Sequence, residues 1–258
     1  MFRLAVAVSL LISAVCAVGQ NPQSSDLFAV SLAQKSVAAL TGGLPVGDVT
    51  LNASVISILG SDNETGTGTF TAKGLSESRV DLNLSGGTRS EVRNIANGGP
   101  AGAWARNGGA STAYAGHNTL TDAAWFFPAL SSLTQTANPN VVFKYIGQEQ
   151  HSGVNTQHIQ IFQAPPAGIA SVQRLSTTEV YLDAATLLPV AMAFKVHPDK
   201  DMNTDIPAEI LFANYRAVNG IQVPFHFQRM LNGGVILDVT VTSAALNTGL
   251  QDSSFILK

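Results

Sequence analysis

The sequence predicts a predominantly β protein, an up-and-down antiparallel sheet of roughly ten strands opened by one helix and large enough to curl or close. Three observations carry this. Apolar residues alternate with polar ones over long stretches, as in Val49, Leu51, Ala53 and Val55, in Val80, Leu82 and Leu84, and in Val190, Met192, Phe194 and Val196. Turn signals fall between these stretches, including Gly86-Gly87 and the pairs Asn97-Gly98, Asn107-Gly108, Asn219-Gly220 and Asn232-Gly233, which suit tight hairpins because both residues tolerate positive φ. The rhythm breaks only between Leu120 and Thr136.

In chain order, Met1-Phe2-Arg3 places a positive charge ahead of the uncharged run Leu4 to Val18, which closes on the small-x-small pattern Ala17-Val18-Gly19. This is the pattern of a secretory signal peptide over residues 1–19, shorter than the about 20 apolar residues of a membrane-spanning helix. The mature chain is expected to begin near Gln20 and to form one domain over 20–258. An uncleaved anchor has the same charge asymmetry, and processing separates the two. Cys16, the one cysteine of the chain, lies in the segment to be removed, so the mature protein would have no thiol or disulfide chemistry. A lipoprotein signal would instead keep Cys16 as its first residue, but Val15 is branched where such a site needs a small side chain.

Ser24-Ser25-Asp26 offers caps before Leu27, Phe28, Val30, Leu32, Val37 and Leu40, with Gly42-Gly43 as the stop, so one amphipathic helix opens the domain and packs on the sheet. In the irregular region, Thr121-Asp122 can cap a short helix through Trp125-Phe126-Phe127 before Pro128 interrupts it, so the region reads as a broken helix or a loop. Three consecutive aromatic residues cannot all face one way on a helix. The segment therefore reads either as a lid that meets a ligand or as a plug for one end of the sheet. Farther on, a hairpin at His151–Asn155 joins two strands, and strands follow around Glu179–Asp183, Ile206–Tyr215, Ile221–Leu231 and Val235–Thr242.

Charged residues make up 12% of the chain and the formal net charge is −3, which leaves no basic stripe for a phosphate backbone and argues against nucleic acid as a partner. No Gly-x-Ser-x-Gly elbow is present, and Ser111 lacks the closing glycine that such a turn favours. His117, His151, His158, His197 and His226 are scattered without the paired spacing that puts two imidazoles on one metal. Glu179 and Asp183 share a strand face without an identifiable acid–base partner. Asp199 to Asp205 alternates oxygen-bearing side chains as a calcium loop does, but Thr204 stands where that loop wants glycine and Ile210 where it wants glutamate. No catalytic residue, metal or cofactor is therefore expected, and the chain reads as a non-enzyme.

Two segments carry a family resemblance. Tyr181-Leu182-Asp183-Ala184-Ala185-Thr186-Leu187-Leu188-Pro189 and Phe212-Ala213-Asn214-Tyr215-Arg216-Ala217-Val218-Asn219-Gly220-Ile221-Gln222-Val223-Pro224-Phe225 resemble paired strands of the LolA/LolB-type periplasmic lipoprotein carriers. The resemblance implies an unclosed β-barrel with a helical lid, and a non-catalytic carrier that shelters a lipoprotein acyl chain or another hydrophobic ligand in the periplasm. On that reading Trp125, Phe126 and Phe127 from the lid, with Met192, Phe194, Phe225 and Phe227 from the strands, would meet the ligand. Arg79, Arg89 and Arg93 are candidates for holding the lid or meeting an envelope partner, with surface solvation as the plainer role. The alternative is a cell-envelope interaction module in which the same sheet is filled by its own side chains. An enzyme with a dispersed site is a third class, one for which nothing local asks.

Overall fold

A computed structural model describes residues 24–166 and 169–257; the predicted signal peptide, Cys16 and the processing site at Gly19 lie outside them. The chain opens with α1 (Leu27–Thr41), whose cap Asp26 accepts from the Phe28 amide at 2.8 Å and whose end is marked by Gly42 at φ 59°, where the Gly42 amide returns to the Ala38 carbonyl. The buried face is Ala29, Leu32, Ala33, Ser36 and Leu40. Leu27 and Phe28, expected on that face, are exposed; Phe28 sets its ring edge-on to Tyr145 of the edge strand.

Thirteen strands follow, rather than about ten. The first six, β1 (Asp48–Leu59), β2 (Asp62–Lys73), β3 (Glu77–Leu84), β4 (Gly87–Ala96), β5 (Gly99–Arg106) and β6 (Thr112–Ala113), form one meander. The second meander comprises β7 (Val141–His151), β8 (Val154–Gln163), β9 (Thr178–Asp183), β10 (Pro189–Val196), β11 (Ile206–Val218), β12 (Ile221–Leu231) and β13 (Gly234–Leu246). A short helix, α2 (Ser171–Ser176), joins β8 to β9. All pairings are antiparallel and sequential except one: β13 pairs with β1, so the two meanders fuse into a single sheet with β6 and β7 as its free edges. The hairpins at Asn97-Gly98, Asn219-Gly220 and Asn232-Gly233 hold both central residues at positive φ, as the twist of the flanking strands requires.

The sheet curls without closing. Ile95 and Pro100, next to one edge, and Val141 and Phe162, at the other, line the same 200 Å³ cavity with the intervening segment between them. On the concave side, α1 and residues 116–135 cover an apolar core built from Leu51, Phe70, Val80, Ile159, Val180, Ile210, Phe227 and Val239. The free edge of β7 is partly covered, since the Asp26 amide donates to the Phe143 carbonyl at 2.8 Å and the Phe143 amide to the Ser25 hydroxyl at 3.1 Å. Among the described residues, no helix is long and apolar enough to cross a membrane.

Candidate functional site

The segment expected as a broken helix or loop, and on the family resemblance as a helical lid, is an irregular strap without an α-helix. Residues Gly116–Thr119, Pro128–Leu130 and Ser132–Thr134 form single 3-10 turns, and Trp125, Phe126 and Phe127 lie in the turn between them. Asp122 does not cap a helix at Ala123; its carboxylate reaches forward, accepting from the Ser132 amide at 2.8 Å and the Ser132 hydroxyl at 3.0 Å. Pro128 starts a turn instead of stopping one, as suits a residue with no N–H to satisfy.

The three aromatics point into the concavity. Phe126 and Phe127 are fully buried and Trp125 nearly so, in the same core as Phe70 of β2 and Phe227 of β12. Phe70 meets Phe126 at 5.4 Å and Phe227 at 5.2 Å between ring centroids, both edge-on, and the Trp125 ring stands 6.1 Å from Phe227, the offset geometry that aromatic quadrupoles favour. Of the strand residues expected to meet a ligand, Phe227 belongs to this cluster. Met192 is buried on β10 and Phe194, beside it on the same face, is half-buried. Phe225, half-buried, carries the Arg216 guanidinium 4.5 Å over its ring.

A few polar contacts strap this plug across the mouth. The buried Arg93 guanidinium, on β4, donates to the carbonyls of Thr119 at 2.6 Å and Thr121 at 3.1 Å. The Thr119 hydroxyl lies between the Gly116 carbonyl at 2.7 Å and the Pro100 carbonyl at 3.1 Å, with one proton to share between them. On the opposite wall the Asn118 side chain clamps the backbone of His197, donating to its carbonyl at 2.7 Å and accepting from its amide at 2.9 Å. Arg93 therefore bonds directly to the strap. Arg79 and Arg89 do not: Arg79 pairs with Asp81 and reaches the Ser254 and Ile256 carbonyls, while Arg89 joins Glu64 and the Ser57 hydroxyl. Replacing Arg93 by Met should raise amide exchange across residues 116–130 by about tenfold or more, since each charge-assisted hydrogen bond is worth roughly 1.5–3 kcal/mol. Unchanged exchange, read by mass spectrometry, would deny Arg93 that role.

Around the strap, a groove of about 550 Å³ runs between α1 and the plug, lined by Val37, Ala38, Leu44, Val46, Leu75 and Leu130 among others. At the other end, cavities of about 260 and 280 Å³ meet at Glu91 and Tyr114. Burial pushes the Tyr114 phenol far above its ordinary range and lowers the Arg93 guanidinium. Asp122 is pushed up by burial, against the lowering effect of its hydrogen bonds from Ser132.

The acidic loop is an ion-pair hub. Asp205 Oδ1 accepts from Arg174 at 2.5 Å and faces His197 Nε2 at 3.0 Å, while its Oδ2 pairs with Lys195 at 2.5 Å. Hydrogen bonding from Lys195 holds its carboxyl below the ordinary value. Asp201 turns inward onto the Asn203 amide and the Thr204 hydroxyl. Among the described residues, no group of three or more His, Cys, Asp and Glu side chains is arranged to hold a metal.

One cluster escaped sequence reading. On the convex face Tyr181 is sandwiched between His151 and His158, at 3.7 and 4.3 Å between ring centroids. His158 faces Glu179 at 2.8 Å and Glu149 at 2.6 Å, and His151 faces Glu209 at 2.5 Å. Burial raises the Tyr181 phenol to about 12. The histidines look scattered in sequence because only the register, with His158 opposite Tyr181, brings them together.

No protein-family model matches the sequence, and neither does any curated protein. Solved structures do match. A Vibrio parahaemolyticus domain named for outer membrane lipoprotein sorting is 13% identical, covering 88% of this chain and 96% of that one at a TM-score of 0.58. A DUF1329 family protein from Desulfovibrio piger is 12% identical, covering 90% and 98% at 0.56. A LolA superfamily protein from Nitrosomonas europaea is 11% identical, covering 88% and 97% at 0.54. With its open thirteen-stranded sheet, amino-terminal helix and strapped concave face, the chain has a LolA-like fold.

Proposed function

We propose that this protein is an exported, periplasmic carrier that binds a hydrophobic or lipidated ligand without catalysis. The observation that carries the reading is the construction of the plug. The concave face is filled not by the strands alone but by Trp125, Phe126 and Phe127 on a separate irregular strap, fastened by polar contacts at Arg93 and His197. A strap of this kind can move as a unit, and the surface it vacates, around Phe70, Phe227 and Met192, is apolar. Covering an acyl chain gains roughly 0.8 kcal/mol per buried CH₂, so a ligand can replace the contacts that the plug gives up. The apolar groove beside α1 borders the strap itself, at Ala129, Leu130 and Thr134.

A second reading, an envelope interaction module, is favoured by the completeness of the filling, with Phe126 and Phe127 both at 0% exposure. Titration with a fluorescent fatty-acid probe, joined to native mass spectrometry of protein purified from a periplasm, separates the two. The carrier reading expects saturable one-to-one uptake together with faster amide exchange across residues 120–135. A clean apo mass with no uptake would transfer the assignment to the interaction module.

A further inference from the structure

Where the strap begins, its contacts converge on the two residues just after β10. The His117 imidazole sets Nε2 3.1 Å from the Pro198 carbonyl, and the Asn118 side chain holds both backbone groups of His197. The His197 side chain is itself fully buried, with the His117 ring edge-on to it at 5.8 Å between centroids. Its Nε2 lies 3.0 Å from Asp205 Oδ1, while its Nδ1 is buried and, among the described residues, has no hydrogen-bond partner.

These contacts select a neutral ring when the strap is closed. A neutral imidazole carries one N–H. On Nε2 it serves Asp205 and leaves Nδ1 a bare lone pair; on Nδ1 it would be a buried donor without an acceptor, the costlier defect. A second proton has only Nδ1 to go to, and it would charge a ring whose Nε2 is 3.2 Å from the Arg174 guanidinium. Asp205 has little left to offset that charge, because the same carboxylate already holds Arg174 and Lys195. Asp199 and Asp201 are exposed, and Asp201 is turned onto Asn203 and Thr204. On the wall of the cavity that His197 shares, Glu91 and Asp122 stand among Arg93, Arg229 and Tyr114.

We propose that His197 is an acid-sensitive latch for the strap. Release of residues 117–118 admits water to the Nδ1 side of the ring and supplies the missing acceptor, so the open state binds the second proton more tightly than the closed one. Closure is therefore fully supported where imidazole is neutral and loses support as pH falls through the range in which imidazole takes up a proton, between about pH 8 and pH 5. A proton on His117 acts in the same direction, since it sets a second positive charge 5.8 Å from the first. The inference rests on the carrier reading for a strap that moves as a unit, and deepens it by assigning the condition under which the apolar surface opens.

Amide exchange of the full mature chain at about pH 8 and about pH 5, corrected for its intrinsic pH dependence, tests it, with uptake of the neutral fluorophore N-phenylnaphthylamine as a separate readout of the apolar surface. Protection across residues 116–122 should fall by about tenfold or more at the lower pH, one proton allowing at most about tenfold per pH unit, while protection in β13 holds. In His197→Gln, which keeps the backbone clamp and an N–H for Asp205 but cannot take up the proton, the fall should vanish. In His117→Gln, at a half-buried position, it should shrink several-fold. Unchanged protection in the wild type, an equal fall throughout the sheet, or a fall that persists undiminished in either variant overturns the latch. Absence of uptake at both pH values while the strap loses protection leaves the latch standing and overturns the carrier reading; uptake at both with no pH response of the strap does the reverse.

Discussion

Phe227→Ala is expected to lower the unfolding free energy by about 3–5 kcal/mol, the cost of emptying a large aromatic site in a core that cannot collapse. That is a large part of the roughly 5–15 kcal/mol that stabilises an ordinary domain, and for a chain of this length it lowers the melting temperature by roughly 10 °C. Phe227 is fully buried on a central strand and meets Phe70, Trp125 and Phe126 at once, so no local movement of the strand relieves the void. The strap behaves differently if it is a lid. Losses at Trp125, Phe126 and Phe127 cannot exceed the free energy of opening it, because beyond that point the protein simply adopts the open state. The triple replacement of these residues by Ala should therefore cost little more than any one of them in urea denaturation, and should increase uptake of the fatty-acid probe. Losses that add residue by residue, with no gain in uptake, would make the three aromatics permanent core and favour the interaction module.

The elements that set this architecture were legible where local chemistry decides them. Asp26 and Gly42 bracket α1 because capping is a matter of a few neighbouring residues. The Asn-Gly pairs mark hairpins because positive φ is a local demand. The strand count was underestimated because β4 to β6 are short and alternate weakly, with Gly99 and Gly102 in β5 and two residues in β6. The lid was located by its break in period, but its form was not, since Asp122 spends its carboxylate on Ser132, ten residues ahead, and not on the next turn. The site was legible only as a set of aromatics. Sequence pattern puts Trp125, Phe126 and Phe127 near an apolar surface; only the fold shows that they fill it, with Phe70 as their partner from β2. Arg93 stood among three arginines alike in sequence, and what distinguishes it is the approach of the Thr119 and Thr121 carbonyls from another part of the chain. The pairing of β1 with β13 left no local mark at all.

That seam is where the second large effect is expected. Asp48 opens β1 and is 5% exposed. Its Oδ1 accepts from the Thr248 amide at 2.8 Å and hydroxyl at 3.0 Å, and its Oδ2 from the Gly249 amide at 2.8 Å and the Leu250 amide at 3.3 Å. One carboxylate thus fastens the chain just past β13 to the start of β1, beside the one pairing that joins the two meanders. Burial works against the charge, but the hydrogen bonds from Thr248, Gly249 and Leu250 outweigh it and hold the carboxyl below its ordinary value. Asp48→Ala leaves those donors without their acceptor and should cost about 3 kcal/mol; Asp48→Asn, which keeps one carbonyl but sets an amide N–H₂ against other donors, should lose most of the same amount. The pH dependence follows from the direction of the shift. With the folded value depressed, the unfolded chain binds the proton first, so the contribution is complete above the unfolded value of about 3.9 and is lost as pH falls through the lower folded one. Urea denaturation of the wild type and Asp48→Asn between pH 7 and pH 2 should therefore show a gap that holds near neutrality and narrows below about pH 4. A gap that stays constant to the acid end would mean that the carboxylate's charge contributes nothing to the seam and that shape alone holds it.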